Sequence, residues 1–434
     1  MTSETLADRK TLEPASIAVE KEAGFAPARI LICGMNYAPE LTGIGRYTGE
    51  LAVDLAARGH EVEVVTTPPH YPGWFVREPY TASRYAREDL NGVRVYRCPI
   101  LLNRKGSGVW RLLAPLTLGI TSAPVIAWRV LFGRPQVIVC VEPTLMMAPV
   151  AIALGRLLGR RLVLHVQDLE VDAAFAVGHL GNSGLLRRFG FACERWLLRG
   201  FHRIITVSNQ MLQGLAAKGV PADRLLVIRN WVNTQKIKPL GRPSHYRREL
   251  GYADDDFIVL YAGQIGAKQA LHVVFEAAAR LAGNRKIKFV VAGEGPLKKP
   301  LSEQYAHLDN LRLLPLQPEE RLCEFLNLAD CHILPQDSKV KDLVLPSKLG
   351  GMLASGKPVL AMADADSELY RFLDGVGELV EPDNVDGVAT RLTAMAKGER
   401  AYAASKGLDL AATLSTARTL RGFCAELVSG LKRT

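Results

Sequence analysis

Two stretches far apart in the chain repeat one local order: an apolar run of strand length, a loop containing glycines, and then a helical periodicity. Arg29 to Cys33 leads into Asn36-Tyr37-Ala38-Pro39-Glu40-Leu41-Thr42-Gly43-Ile44-Gly45, after which Tyr47, Leu51 and Leu55 recur at helical spacing until Gly59. Phe257 to Ala262 leads into Gly263-Gln264-Ile265-Gly266-Ala267-Lys268-Gln269 and the helical stretch Leu271 to Leu281. Further strands are expected at Glu61 to Thr67, Val137 to Val141, Leu162 to Val166 and Arg203 to Val207 in the first half. In the second half they are expected at Ile287 to Ala292, Leu311 to Leu314, His332 to Leu334 and Pro358 to Ala361, with another helix over Pro318 to Leu328. Strands alternating with helices predict an α/β protein with parallel, helix-covered sheets.

The periodicity lapses over Asn230 to Leu250, a segment rich in Lys, Arg, Pro and Gly, where an interdomain linker is expected. The 434 residues then divide into a loose tail (1–27), a first domain (28–235), a second domain (236–404) and a C-terminal helix that packs back on the first domain (405–434). Both domains read as doubly wound and Rossmann-like, with the carboxyl ends of their strands facing across a cleft, where such sheets take ligands. With 48% hydrophobic residues the chain has ample core material, which excludes disorder and fibrous repeats. The tail has no apolar h-region, so the expected location is the cytoplasm. The seven cysteines are scattered without a C-x-x-C pair, which argues against both a disulfide framework and a zinc site.

Glycines before a helix let backbone N–H groups and the helix dipole meet a phosphate. Gly43 and Gly45 are placed for that role, although the spacing through Gly49 is G-x-G-x-x-x-G and not the dinucleotide fingerprint. Gly263, Gln264 and Lys268 form the matching loop of the second half, with a lysine to reach a diphosphate. Glu294, in Ala292-Gly293-Glu294-Gly295-Pro296, and Ser347, Lys348 and Gly351, in Leu345 to Val359, are expected on the same side as donor contacts. A plain turn and a solvated lysine remain the alternatives.

Taken together, the Asn36 to Gly45 loop, His165-Val166-Gln167-Asp168-Leu169, Asn230-Trp231-Val232, the Gly263 to Gln269 loop and the Leu345 to Val359 segment resemble glycosyltransferase family 4, whose members are retaining enzymes of GT-B fold. The resemblance runs from about Arg29 onward and is nearest to enzymes of colanic acid and exopolysaccharide biosynthesis. It implies a nucleotide-sugar donor, GDP-fucose by that nearest branch, a polyprenyl-diphosphate-linked glycan as acceptor, and no cofactor or metal. Two glutamates usual in the family fall near Leu343 and Gly351, where no carboxylate stands, although Asp342 is adjacent. His165, Asp168 and Lys268 are the catalytic candidates, and Asn36, Tyr37, Glu40, Glu142 and Gln167 are expected on the acceptor side. A histidine satisfied in the core is the competing reading of His165. Asp254-Asp255-Asp256 and Asp364-Ala365-Asp366 are assigned no metal.

The run from Leu112 to Ala127 is uncharged and bracketed by Trp110-Arg111 and Trp128-Arg129. Interrupted by Pro115 and Pro124, it is expected to lie in an anionic membrane interface and not to span it, with Trp110, Arg111, Leu112, Leu116, Trp128 and Arg129 in contact. Buried helices are the alternative. A net charge of +10 agrees with a peripheral membrane enzyme, and the dispersed Arg and Lys pairs argue against nucleic acid. Three rival readings stand beside this one: a non-catalytic scaffold, a sugar-nucleotide epimerase, and a nicotinamide oxidoreductase, which the missing G-x-G-x-x-G disfavours.

Overall fold

The computed structural model describes residues 26–40, 43–71, 73–103, 109–143, 145–168, 184–266, 269–337, 345–400, 402–429 and 431. They divide into two compact units, one running to Ile228 and resuming at Leu420, the other spanning Arg229–Thr419.

In the first unit, β1 (Arg29–Cys33), β2 (Glu61–Thr66), β3 (Ala86–Leu90), β4 (Val93–Arg97), β5 (Val137–Glu142), β6 (Arg161–Val166), β7 (Arg203–Thr206) and β8 (Leu225–Val227) form one sheet in the order β3-β4-β2-β1-β5-β6-β7-β8. All neighbours are parallel except β3 and β4. Every residue of β5 is buried, as a strand covered by helices on both faces requires. The β3–β4 hairpin is missing from the alternation read in the sequence because Ala86-Arg87-Glu88-Asp89-Leu90 carries no apolar pattern. Its signal was the Asn91-Gly92 turn, whose two residues adopt φ of 51° and 81°.

In the second unit, β9 (Phe257–Ala262), β10 (Ile287–Ala292), β11 (Leu311–Leu314), β12 (Cys331–Leu334), β13 (Val359–Met362) and β14 (Glu378–Val380) form a parallel sheet ordered β11-β10-β9-β12-β13-β14. The order reverses between β9 and β12, the kind of switch point at which loops beyond the carboxyl ends diverge and leave room for a ligand.

Asn230 to Leu250 is not a free linker. Trp231 and Val232 are buried, Val232 N–H donates to Leu414 O at 2.9 Å, and Thr416 N–H donates to Val232 O at 2.9 Å. Its Arg247 is buried as well, donating to Ala253 O, Asp256 O and Asp330 Oδ2 at 2.7, 2.9 and 2.6 Å. A segment rich in Arg and Pro hides such packing, because long stems bury while their heads find carbonyls.

Two C-terminal helices follow, Ala404–Thr413 in the second unit and Thr416–Val428, whose later turns belong to the first. Phe423 and Leu427 are buried there, Cys424 Sγ lies 3.4 Å from His60 Nε2, and Arg161 donates to Glu426 Oε1 at 2.9 Å.

Helix α1 (Gly43–Ala57) follows β1, and α2 (Val109–Trp128) follows β4. Neither Pro115 nor Pro124 breaks α2, and the Tyr85 hydroxyl donates to Thr121 O at 2.9 Å on the same helix. A π turn, Arg129–Gly133, extends the helix. The continuous run Leu113–Gly133, of mean hydropathy 1.4, is therefore long and apolar enough to cross a bilayer by length and composition, longer than the interrupted segment expected. Its faces differ. Ala114, Leu118, Ser122 and Ile126 are buried at intervals of four, whereas Leu116, Ile120, Trp128, Leu131 and Phe132 are exposed, Phe132 by 73%. Side chains of Trp110, Arg111 and Leu112 lie outside the described residues. Arg129, expected among the membrane contacts, is instead mostly covered, its guanidinium paired with Glu63 at 2.6 and 2.7 Å and lying over Trp128.

Candidate functional site

The first unit gathers its candidates at the carboxyl edge of four adjacent strands, β2, β1, β5 and β6. Two loops there are tied together. Thr66 and Thr67 hydroxyls donate to Met35 O at 3.0 and 2.8 Å, and the buried Arg97 donates to Thr67 O at 2.8 Å and Ala38 O at 2.7 Å. Glu40 is buried, with Oε2 accepting from Asn36 Nδ2 at 3.0 Å and Oε1 accepting from the backbone N–H groups of His70 and Tyr71, each at 3.0 Å. A β-carbon on Gly45 would stand 2.5 Å from Glu40 Oε2, so Gly45 is required for the carboxylate to sit there, and phosphate contact is not its only explanation. Tyr37 is buried beside these groups, and burial raises its hydroxyl pKa.

His165 is corrected to a core residue. It is fully buried, its ring is edge-on to Phe423 at 4.8 Å, its Nε2 lies 3.0 Å from Gln167 Nε2, and burial pushes its pKa down to about 3. An imidazole so reluctant to take a proton is a poor general base. Asp168, two residues on from Val166 at the end of β6, is exposed, and Glu142 closes β5 as a buried carboxylate.

In the second unit, the loops after β9 and β10 are laced by backbone hydrogen bonds: Gly263 N–H to Ala292 O and Ile265 N–H to Glu294 O, both 2.9 Å. Gly293 makes this possible, since a β-carbon there would lie 1.8 Å from Gly263 O. Against this lacing stands Lys348. Its Nζ donates to Tyr261 Oη at 2.8 Å, Tyr261 donates in turn to Gln264 O at 2.6 Å, and a β-carbon on Gly263 would meet Nζ at 3.2 Å. Burial lowers the lysine pKa to about 7, and among the described residues no carboxylate pairs with it. A desolvated cation beside side-chain-free backbone is suited to an anionic group.

The other candidates are placed differently. Glu294 is exposed and paired with Lys298 at 2.7 Å, which lowers its pKa. Ser347 is exposed, and Gly351 packs toward the core, where a β-carbon would meet Leu326 at 3.2 Å. Lys268 and Asp342 lie outside the described residues. Among those described, no three His, Cys, Asp or Glu side chains are grouped to hold a metal. Sequence reasoning missed Tyr261, Arg97, His70 and Tyr71. Only the aromatic-rich stretch from His70 to Phe75 offered a signal.

Residues 42–231 match the family described as Glycosyl transferase 4-like domain, and residues 244–406 match Glycosyl transferases group 1. The chain is 38% identical over 370 residues to the putative colanic acid biosynthesis glycosyl transferase WcaI of Escherichia coli K12, covering 83% of this chain and 90% of that protein. It is 26% identical over 162 residues to the alpha-galactosylglucosyldiacylglycerol synthase of Streptococcus pneumoniae, 35% of this chain and 41% of that one. Among solved structures, Anabaena HepE in complex with UDP and glucose superposes with a TM-score of 0.64 at 17% identity, over 93% of this chain and all of that one. A glycosyltransferase from Rickettsia africae does so with a TM-score of 0.67 at 14% identity, over 94% of this chain and all of that one.

Proposed function

Because this chain belongs to the glycosyltransferase family that joins a Glycosyl transferase 4-like domain to a group 1 domain, we propose that it moves a sugar from a nucleotide-diphosphate donor to a lipid-linked glycan in exopolysaccharide assembly. Its fold is GT-B, two Rossmann-like units. The observation that carries the reading is the Lys348 ammonium, without a carboxylate partner among the described residues, against the Gly263 backbone. As the glycosidic bond to the donor breaks, negative charge grows on the departing diphosphate, and a fixed cation there stabilises the transition state more than the ground state. Lys268, expected to reach the same diphosphate, would add a second cation in place of a metal, and retention at the anomeric carbon, with the acceptor attacking on the face that the diphosphate leaves, is what the resemblance to family 4 implies. Lys268→Ala should lower kcat/KM by about 100-fold with the thermal midpoint unchanged, and near-wild-type rates would remove it from the site.

GDP-fucose is the donor that the resemblance favours. A thermal-shift series with GDP, UDP, ADP and dTDP tests both base and function, since a ligand at 100 times its Kd stabilises the native state by about 2.7 kcal/mol. A shift with one nucleotide identifies the donor. The absence of any shift would favour the non-catalytic scaffold.

The acceptor's lipid places the enzyme on the cytoplasmic face of an anionic membrane, with α2 as the contact. The exposed apolar face of α2 supports this, as does the lipid product named for the Streptococcus relative. Leu116→Glu with Ile120→Glu, both on exposed positions, should abolish co-sedimentation with phosphatidylglycerol vesicles while leaving the fold intact. Retained sedimentation would exclude this face.

A further inference from the structure

The loop that follows β2 hangs from a carboxylate. Both Glu40 oxygens are engaged, one by Asn36 and one by the successive amides of His70 and Tyr71, so this side chain places a loop and has little left for a ligand. What the loop presents outward is aromatic. Tyr71 is 41% exposed, and its Cε1 lies 3.6 Å from where a β-carbon would stand on Gly43, so the ring reaches over the glycine that opens α1. Three residues on, Trp74 is edge-on to His70 at 6.0 Å and holds φ at 54°, a left-handed conformation that a bulky residue adopts only at a cost of roughly 1–3 kcal/mol. Arg97 fastens the start of the loop through Thr67 O. A loop this firmly held, strained and still exposing a phenol ring is built for contact with a ligand and not for burial.

Pyranose rings suit such a surface. One face of a pyranose is a patch of C–H groups, and an aromatic face carries the negative part of its quadrupole, so the two attract while hydroxyls at the rim keep their polar partners. We propose that Tyr71 is the platform on which a pyranose ring of the acceptor glycan stacks, and that Glu40 is the positioning residue that holds it over Gly43. This rests on the glycosyl-transfer reading above. The donor sugar is the other possible pyranose, and the kinetics separate the two.

The test is transfer from the nucleotide sugar selected by thermal shift to octyl β-D-glucopyranoside, octyl β-D-galactopyranoside and octyl α-D-mannopyranoside, read as labelled octyl disaccharide. Tyr71→Ala should raise the acceptor KM about tenfold with kcat falling less than about threefold, and Tyr71→Phe should restore it. Glu40→Gln should move the acceptor KM the same way, and thermal midpoints exclude misfolding. An acceptor KM for Tyr71→Ala within about twofold of wild type, or a rise in donor KM instead, would overturn the platform while leaving glycosyl transfer standing. If the wild type transfers to none of the three, the glycosyl-transfer reading falls and the platform falls with it.

Discussion

Gly293→Ala should lower the stability of the second unit by roughly 3 kcal/mol or more and abolish nucleotide binding. The added carbon would lie 1.8 Å from Gly263 O and 2.9 Å from Gly263 C, both backbone atoms that no rotamer change can move aside. Gly293 also holds φ at +151°, which disfavours any side chain. Relief requires separating the β9 and β10 loops, which breaks the bonds from Gly263 to Ala292 and from Ile265 to Glu294, and with them the backbone surface beside Lys348. Urea unfolding followed with calorimetric titration of the donor nucleotide measures both losses. Gly375→Ala is the control: φ is +70° there, but nothing lies within 4 Å of the new carbon, so only the conformational cost of about 1 kcal/mol applies. Equal urea midpoints for the two variants would refute the lacing of the loops as the source of the site.

Lys348→Met should weaken nucleoside diphosphate binding by about 10- to 100-fold and leave the unfolding midpoint at pH 7 at or above that of the wild type. Binding and stability separate because the ammonium is desolvated without a carboxylate, so it costs the fold something and repays it only when an anion arrives. The pH dependence has a definite sign. The folded pKa of about 7 lies below the ordinary 10.5, so the unfolded chain binds more protons between these values and stability rises with pH across that window. Methionine at this position removes the rise. A bound diphosphate favours the charged form, so wild-type affinity should fall by up to about tenfold per pH unit above pH 7, whereas Lys348→Met should be flat from pH 7 to 9. Titration calorimetry in buffers of different ionisation enthalpy reads the accompanying proton uptake directly. Parallel profiles for the two proteins would place the diphosphate elsewhere.

The strands expected from the sequence lie within a residue at each end of those observed, and β1, β9, β10 and β11 have the very bounds expected, whereas the parallel strand β4 was missed together with its hairpin partner β3. The short or polar elements were not legible: β3 has no apolar face to announce it, and β8 and β14 have three residues each. Among the site residues, the positions at the strand ends were visible and their roles were not. His165, next to last in β6, and Glu40, in the loop beyond β1, look alike as polar residues near a strand's carboxyl end, yet one is sealed against Phe423 from the C-terminal helix and the other is spent on the amides of His70 and Tyr71. Gly45 reads as a phosphate-loop glycine and Gly293 only as a neighbour of Glu294, yet the space they leave is taken by a carboxylate and by a carbonyl.

The sequence by itself determined the alternation of strand and helix, and hence two parallel sheets with loops at their carboxyl ends, because periodicity is a property of consecutive residues and survives without knowledge of distant partners. Only the tertiary structure decided which of those loops interlock, that Tyr261 pins Lys348 across 87 positions of chain, and that α2 keeps one apolar face buried and the other bare. Those outcomes depend on which atoms are excluded from water, and exclusion is set by packing between segments far apart in sequence.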